Sequence, residues 1–178
     1  DAAWSRPPDP DLEARFDRVK AKLMGFLNPK QAVTTYPESD RSIAGHYGRA
    51  YAYHMSAYPD KALSEMDALL QASPHDPFFL EFKGQILVEN GKPREALGPL
   101  REATERSGNM PLIASMLGHA LVATEDRANF AEAKQVLKAA VTRDNQNPFA
   151  WYQLGIVYDR EGDRGRAALA TAERSNLE

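Results

Sequence analysis

One pattern recurs along most of this chain and restricts what it can fold into. Stretches beginning at Ile43, Pro77, Pro111 and Pro148 are spaced 34, 34 and 37 residues apart and carry like residues at like positions. The eighth residue of each is Ala50, Gly84, Gly118 or Gly155, and the eleventh is Tyr53, Leu87, Leu121 or Tyr158. An alanine then follows a polar break, as Ala62, Ala96, Ala133 and Ala167, with Met66, Leu100, Leu137 and Thr171 one helical turn later. The extra residues of the third stretch fall in its break, "TEDRANFAEA", where an insertion leaves both flanking segments in register. Within each stretch the apolar spacing is helical, as in Trp151, Leu154, Gly155 and Tyr158, and does not alternate as a strand would. A unit of this size cannot bury its apolar face alone, so successive units must stack.

The pattern W-x2-L-G-x2-Y followed by Ala, at this period, resembles the tetratricopeptide repeat (TPR). The expected fold is therefore all-α: a right-handed TPR solenoid of antiparallel helix pairs, with units at 43–76, 77–110, 111–147 and 148–178. The small eighth residue allows the two helices of a pair to approach closely, and the large residues fill the space between units. Pro77, Pro111 and Pro148 stand where a first helical turn has no use for an N–H. Asp76 and Asn147 precede two of them as N-caps, and Gly91 and Gly162 suit helix C-termini. Pro99, after Gly98, lies inside a second helix and is expected to kink or loosen it. Before Ile43 the pattern decays. Asp11 to Leu27 is amphipathic, with Leu12, Phe16, Val19, Leu23 and Phe26 on one face, and "NPKQAVTTYPES" allows one short helix. Residues 11–42 are expected to form a degenerate capping pair, and the proline-rich 1–10 a linker.

Several functions are disfavoured. The net charge of −3 gives no basic footprint for nucleic acid. With no cysteine there is no disulfide or thiolate chemistry. No run approaches the roughly 18 apolar residues of a membrane span, and the N-terminus has neither a basic nor an apolar signal region. Asp1 as first residue reads as a processed product or an excised domain. The four histidines, His46, His54, His75 and His119, form no HExxH helix and no i, i+4 pair. His46 occupies the slot of Trp151 and is expected to pack. Phosphate loops and serine elbows are also lacking. No catalytic residue, cofactor or metal is expected.

The remaining role is protein or peptide binding. Positions 2, 5, 9 and 12 of each unit should face the concave side of the array. The candidate groove residues are Tyr47, Tyr51 and His54, then Phe78, Glu81 and Gln85, then Ser115 and His119, and finally Tyr152, Ile156 and Asp159. Rings beside neutral polar groups suit an extended or poorly folded segment. The Lys/Asn/Arg clamp with which chaperone adaptors hold a C-terminal carboxylate is missing. Part of this stripe could equally be core.

The wording of "RFDRVKAKLMGFL", "YGRAYAYHMSAYPDKALSEMDALLQASPHDPFFLEFKGQILVENGKPREAL" and "PFAWYQLGIVYDREGDRGRAALATAE" resembles the C-terminal TPR region of bacterial periplasmic zinc-dependent metalloproteases of the BepA-like type, over about residues 5–174. That resemblance implies a periplasmic location, a role in outer-membrane protein quality control, and an N-terminal protease domain as partner within the full chain. It transfers no zinc ligand or catalytic residue to this sequence. The alternative is a stand-alone TPR scaffold of a multiprotein complex. In either case Ala168, Leu169, Ala172 and Leu177 lie on an uncovered second helix. They are expected to fray after about Arg166 or to bury against a second copy, giving a homodimer through the C-terminal end.

Overall fold

The computed structural model describes residues 9–178, and within them every regular element is helical. The proposed linker 1–10 therefore lies outside the described residues except at its end. There, Pro10 already opens a helix capped by the Asp9 carboxylate, which accepts from the Asp11 N–H. The chain divides into two compact units, the first ending at Ala72 and the second running from Ser73 to Glu178.

The first unit holds α1 (Pro10–Leu27), α2 (Pro29–Thr35), α3 (Ile43–Met55) and α4 (Pro59–Ala72). α1 and α3 meet almost backbone to backbone. A Cβ on Gly25 would lie 2.4 Å from the Gly48 carbonyl oxygen, so only glycine fits that crossing. The side of α1 that is buried carries Ala21 and Gly25. The apolar face of this amphipathic helix points the other way: Leu12, Phe16, Val19, Leu23 and Phe26 are all about half exposed or more. Small residues won the contact because they let the two backbones approach closely.

A buried cation ties the α2–α3 loop to the helices. Arg49 is 1% exposed. Its Nε and Nη2 donate to the two carboxylate oxygens of Glu65 on α4, at 2.9 and 3.0 Å. Its Nη1 donates to the carbonyls of Pro37 and Asp40, at 2.7 and 2.8 Å. Each of these hydrogen bonds is charge-assisted. His46 is not simply a packing residue; its Nδ1 also contacts Glu65.

The second unit is three helix pairs: α5 (Pro77–Glu89) with α6 (Pro93–Arg106), α7 (Pro111–Ala123) with α8 (Phe130–Arg143), and α9 (Pro148–Arg160) with α10 (Arg164–Ser175). α7 packs on both α5 and α6, and α9 on both α7 and α8, so the first helices stand side by side. Leu100 of α6 fills the space over Gly84, and Leu137 of α8 the space over Gly118; a Cβ at either glycine would fall 2.4 Å from the leucine Cγ. Asp76 caps α5 by accepting from the N–H groups of Phe78 and Phe79, and Asn147 caps α9 through Ala150. The insertion in the third repeat forms a 3-10 turn, Arg127–Asn129, ahead of α8.

α6 runs unbroken from Pro93 to Arg106 with Pro99 inside it. Ala96, Leu100 and Ala103, all fully buried, hold its inner face and offset the one lost backbone bond. α10 is helical from Arg164 to Ser175, past Arg166. Asp163 caps it by accepting from the Arg166 N–H, and Ala170 anchors it at 1% exposure.

The turns inside the repeats share one backbone feature. Its central residue is left-handed in all four: Ala57 at φ 60°, Gly91 at 76°, Glu125 at 56° and Gly162 at 80°. In three of them the next N–H reaches back to the tyrosine-slot carbonyl, as Tyr58 to Tyr53, Lys92 to Leu87 and Asp163 to Tyr158, at 2.8–2.9 Å. This closes the helix C-terminus. In the third repeat the Asp126 N–H is directed instead to the Thr124 hydroxyl, at 3.4 Å.

Candidate partner-binding groove

The expected groove residues separate by environment. In the first unit Tyr47 and Tyr51 are 3% and 5% exposed, which corrects their assignment as groove residues. α1 lies over them. The Arg18 guanidinium sits 5.5 Å from the Tyr47 ring centre and the Lys22 ammonium 5.3 Å from that of Tyr51, while the two rings meet edge to face at 5.1 Å. His54 is half-buried. The sequence signal for this cover is Ala21-x3-Gly25 and Gly48, small residues spaced for a close helix crossing.

In the second unit Ser115 is also corrected. It is fully buried, donates to the Pro111 carbonyl at 2.6 Å and receives a hydrogen bond from the Asn147 side chain. It joins α7 to the start of α9 and is not open to a ligand. Phe78 is exposed on α5, Glu81 and Gln85 are half-buried, and Gln85 donates to Glu89 one turn on. His119 of α7 is half-buried with its ring edge to face against Phe149 at 5.4 Å, and its Nδ1 has no hydrogen-bond partner. Gln153 Oε1, on a side chain 2% exposed, is likewise unpaired.

Tyr152, Ile156 and Asp159 do share a concave surface. With Arg160, Arg164, Ala168, Thr171 and Arg174 they line an open groove of about 690 Å³ along α9 and α10. Gly155 forms part of its floor, and the fit beneath is loose: a Cβ there would meet Ala170 at an ordinary 3.5 Å, because no leucine fills the space as at Gly84 and Gly118. The Arg174 guanidinium stacks 4.7 Å from the Tyr152 ring centre and pairs with Glu178 at 2.8 Å. Three arginines and one aspartate line the groove, with Arg174 paired to Glu178 and the Arg160 Nη2 3.9 Å from Glu125. Arg164 and Arg174 lie on α10, a second helix, outside the first-helix stripe, and the sequence signal for them is the arginine clustering in "DREGDRGRAALATAER".

Among the described residues no group of three His, Asp or Glu side chains could hold a metal ion, and no helix is long and apolar enough to cross a membrane.

The chain matches no family model and none of the curated proteins. Solved structures do match. A MamA fragment (41-end) from Desulfovibrio magneticus RS-1 superposes with a TM-score of 0.76 at 18% identity, covering 93% of this chain and 94% of the other. YrrB, described as a TPR protein with an unusual peptide-binding site, superposes with a TM-score of 0.71 at 20% identity, covering 95% and 88%. The fold is that of a TPR solenoid. Nothing in these matches extends the likeness to a zinc protease.

Proposed function

We propose that this chain is a TPR adaptor that holds a helical segment of a partner protein in the α9–α10 groove. The observation that carries this reading is the groove's shape. α7 fills the corresponding surface beside α5 and α6, and α9 that beside α7 and α8, so the open surface of α9 and α10 has the form that receives a helix. Tyr152, Ile156 and Ala168 offer an apolar floor, and Arg160, Arg164 and Arg174 select acidic flanks. The matching partner is an amphipathic helix with small apolar residues on one face and Asp or Glu beside them. That a TPR neighbour is described by its peptide-binding site supports the class of activity.

Panning a displayed peptide library against the chain should enrich acidic amphipathic sequences. Binding of an enriched peptide, read by fluorescence anisotropy, should fall about tenfold or more for Arg164→Glu and for Tyr152→Ala. Enrichment of basic peptides, or binding indifferent to both substitutions, would refute the assignment.

The narrower reading, the partner-presenting half of a periplasmic zinc protease, rests on the sequence wording alone and ranks second. Export of the full-length protein, tested by cell fractionation, is its minimum requirement.

A further inference from the structure

α1 presents to solvent a seam that its own unit leaves uncovered. Leu12, Phe16, Val19, Leu23 and Phe26 alternate at spacings of four and three residues over two heptads, and they are 65, 67, 54, 50 and 49% exposed. This is the a/d spacing of a coiled-coil interface. The helix is oriented accordingly: Ala21, which the heptad places opposite the seam, is the fully buried contact with the rest of the unit. Two shallow hollows lie along the seam, one beside Leu12 and Phe16 and the other between Phe16, Val19 and Leu23.

The geometry points to a second copy of this chain as the occupant, paired through α1 as an antiparallel two-helix seam. Area supports it. Side chains of this size leave on the order of 600 Å² of apolar surface exposed, the upper end of what monomers carry. Two copies face to face would cover about 1,200 Å², the lower bound of a specific interface.

Charge selects the direction. Antiparallel pairing sets Leu12 against Leu23 of the other copy and Phe16 against Val19. It brings Glu13 beside Lys20 twice, by the two-fold axis. Parallel pairing would set Arg15 against Lys20, a like-charge contact. Lys22, which would flank the antiparallel seam near Arg15, is already drawn over the Tyr51 ring.

The test is sedimentation equilibrium of the whole chain across a concentration series. The expected result is a monomer–dimer equilibrium in the micromolar range, shifted to monomer by Phe16→Glu with helicity and melting unchanged. Glu13→Lys should weaken the dimer, and adding Lys20→Glu should restore it. Because the chain has no cysteine, a Leu12→Cys/Leu23→Cys variant reads direction: it should cross-link between copies under oxidation, while Leu12→Cys alone should not. A chain monomeric throughout would overturn the inference. So would a dimer indifferent to Phe16→Glu, or cross-linking by Leu12→Cys alone. A monomer that co-sediments with phosphatidylglycerol vesicles would also overturn it and assign the face to a membrane surface.

Discussion

Replacing Ala57 by glycine should stabilise the protein, although it removes a methyl group and adds no contact. Ala57 holds φ at 60°, the left-handed region in which a Cβ crowds the following carbonyl. That conformation costs a residue other than glycine about 1–2 kcal/mol. Glycine gains more chain entropy on unfolding, worth about 0.5–1 kcal/mol against alanine. The difference leaves Ala57→Gly more stable by about 0.5–1 kcal/mol. Gly91 supplies the mirror experiment. It occupies the same repeat position at φ 76°, and a Cβ there would meet nothing within 4 Å, so Gly91→Ala changes the backbone term without a clash. It should lose about 0.5–1 kcal/mol. Urea denaturation followed by circular dichroism reads both, provided the slope with denaturant is unchanged, so that the midpoint alone reports stability. A neutral or destabilising Ala57→Gly, together with a harmless Gly91→Ala, would show that these turns are not left-handed in solution. The shared turn would then not be the device that closes the repeats.

Gly118→Ala should destabilise by about 1–3 kcal/mol, because its methyl group would meet Leu137 at 2.4 Å, while Gly155→Ala should stabilise by about 0.5–1 kcal/mol, since its nearest neighbour stands at 3.5 Å; urea midpoints of opposite sign check the pair. Arg49→Met should cost about 3–5 kcal/mol by stripping the Glu65 carboxylate of its two guanidinium hydrogen bonds and leaving two loop carbonyls unsatisfied, and Arg49→Met/Glu65→Leu should recover part of that loss, as measured by thermal unfolding. Hydrogen bonding from Arg101 holds the Glu132 carboxyl below its ordinary range, and His75 and then Arg106 do the same for Glu102. A lowered folded value means the stabilisation is complete above the ordinary carboxylate range, near pH 4, and is lost as pH falls through the folded value. Arg101→Met should therefore flatten the fall in melting temperature below about pH 4.

The repeat was legible in the sequence because it is written in local terms. Pro77, Pro111 and Pro148 start helices whatever surrounds them, Asp76 and Asn147 cap their own first turns, and the helical spacing of Trp151, Leu154 and Tyr158 depends on a single helix. The left-handed turns at Ala57 and Glu125 were not legible, because neither residue favours that backbone; repeat packing imposes it where Gly91 and Gly162 adopt it freely. Which candidate residues a ligand can reach depended on contacts between helices distant in sequence. Tyr47 and Tyr51 read as groove residues by position, yet α1 buries them, because Gly25 and Gly48 permit an approach that no bulkier pair allows. Ser115 was lost to the start of α9 in the same way. Tyr152, Ile156 and Asp159 share an open groove because no further helix covers that face among the described residues. Periodicity determined which residues lie on one stripe of a helix. Only the tertiary structure decided which stripe faces solvent, since burial is settled by the best available packing partner, and on α1 the small residues at the crossing prevailed over the larger apolar ones.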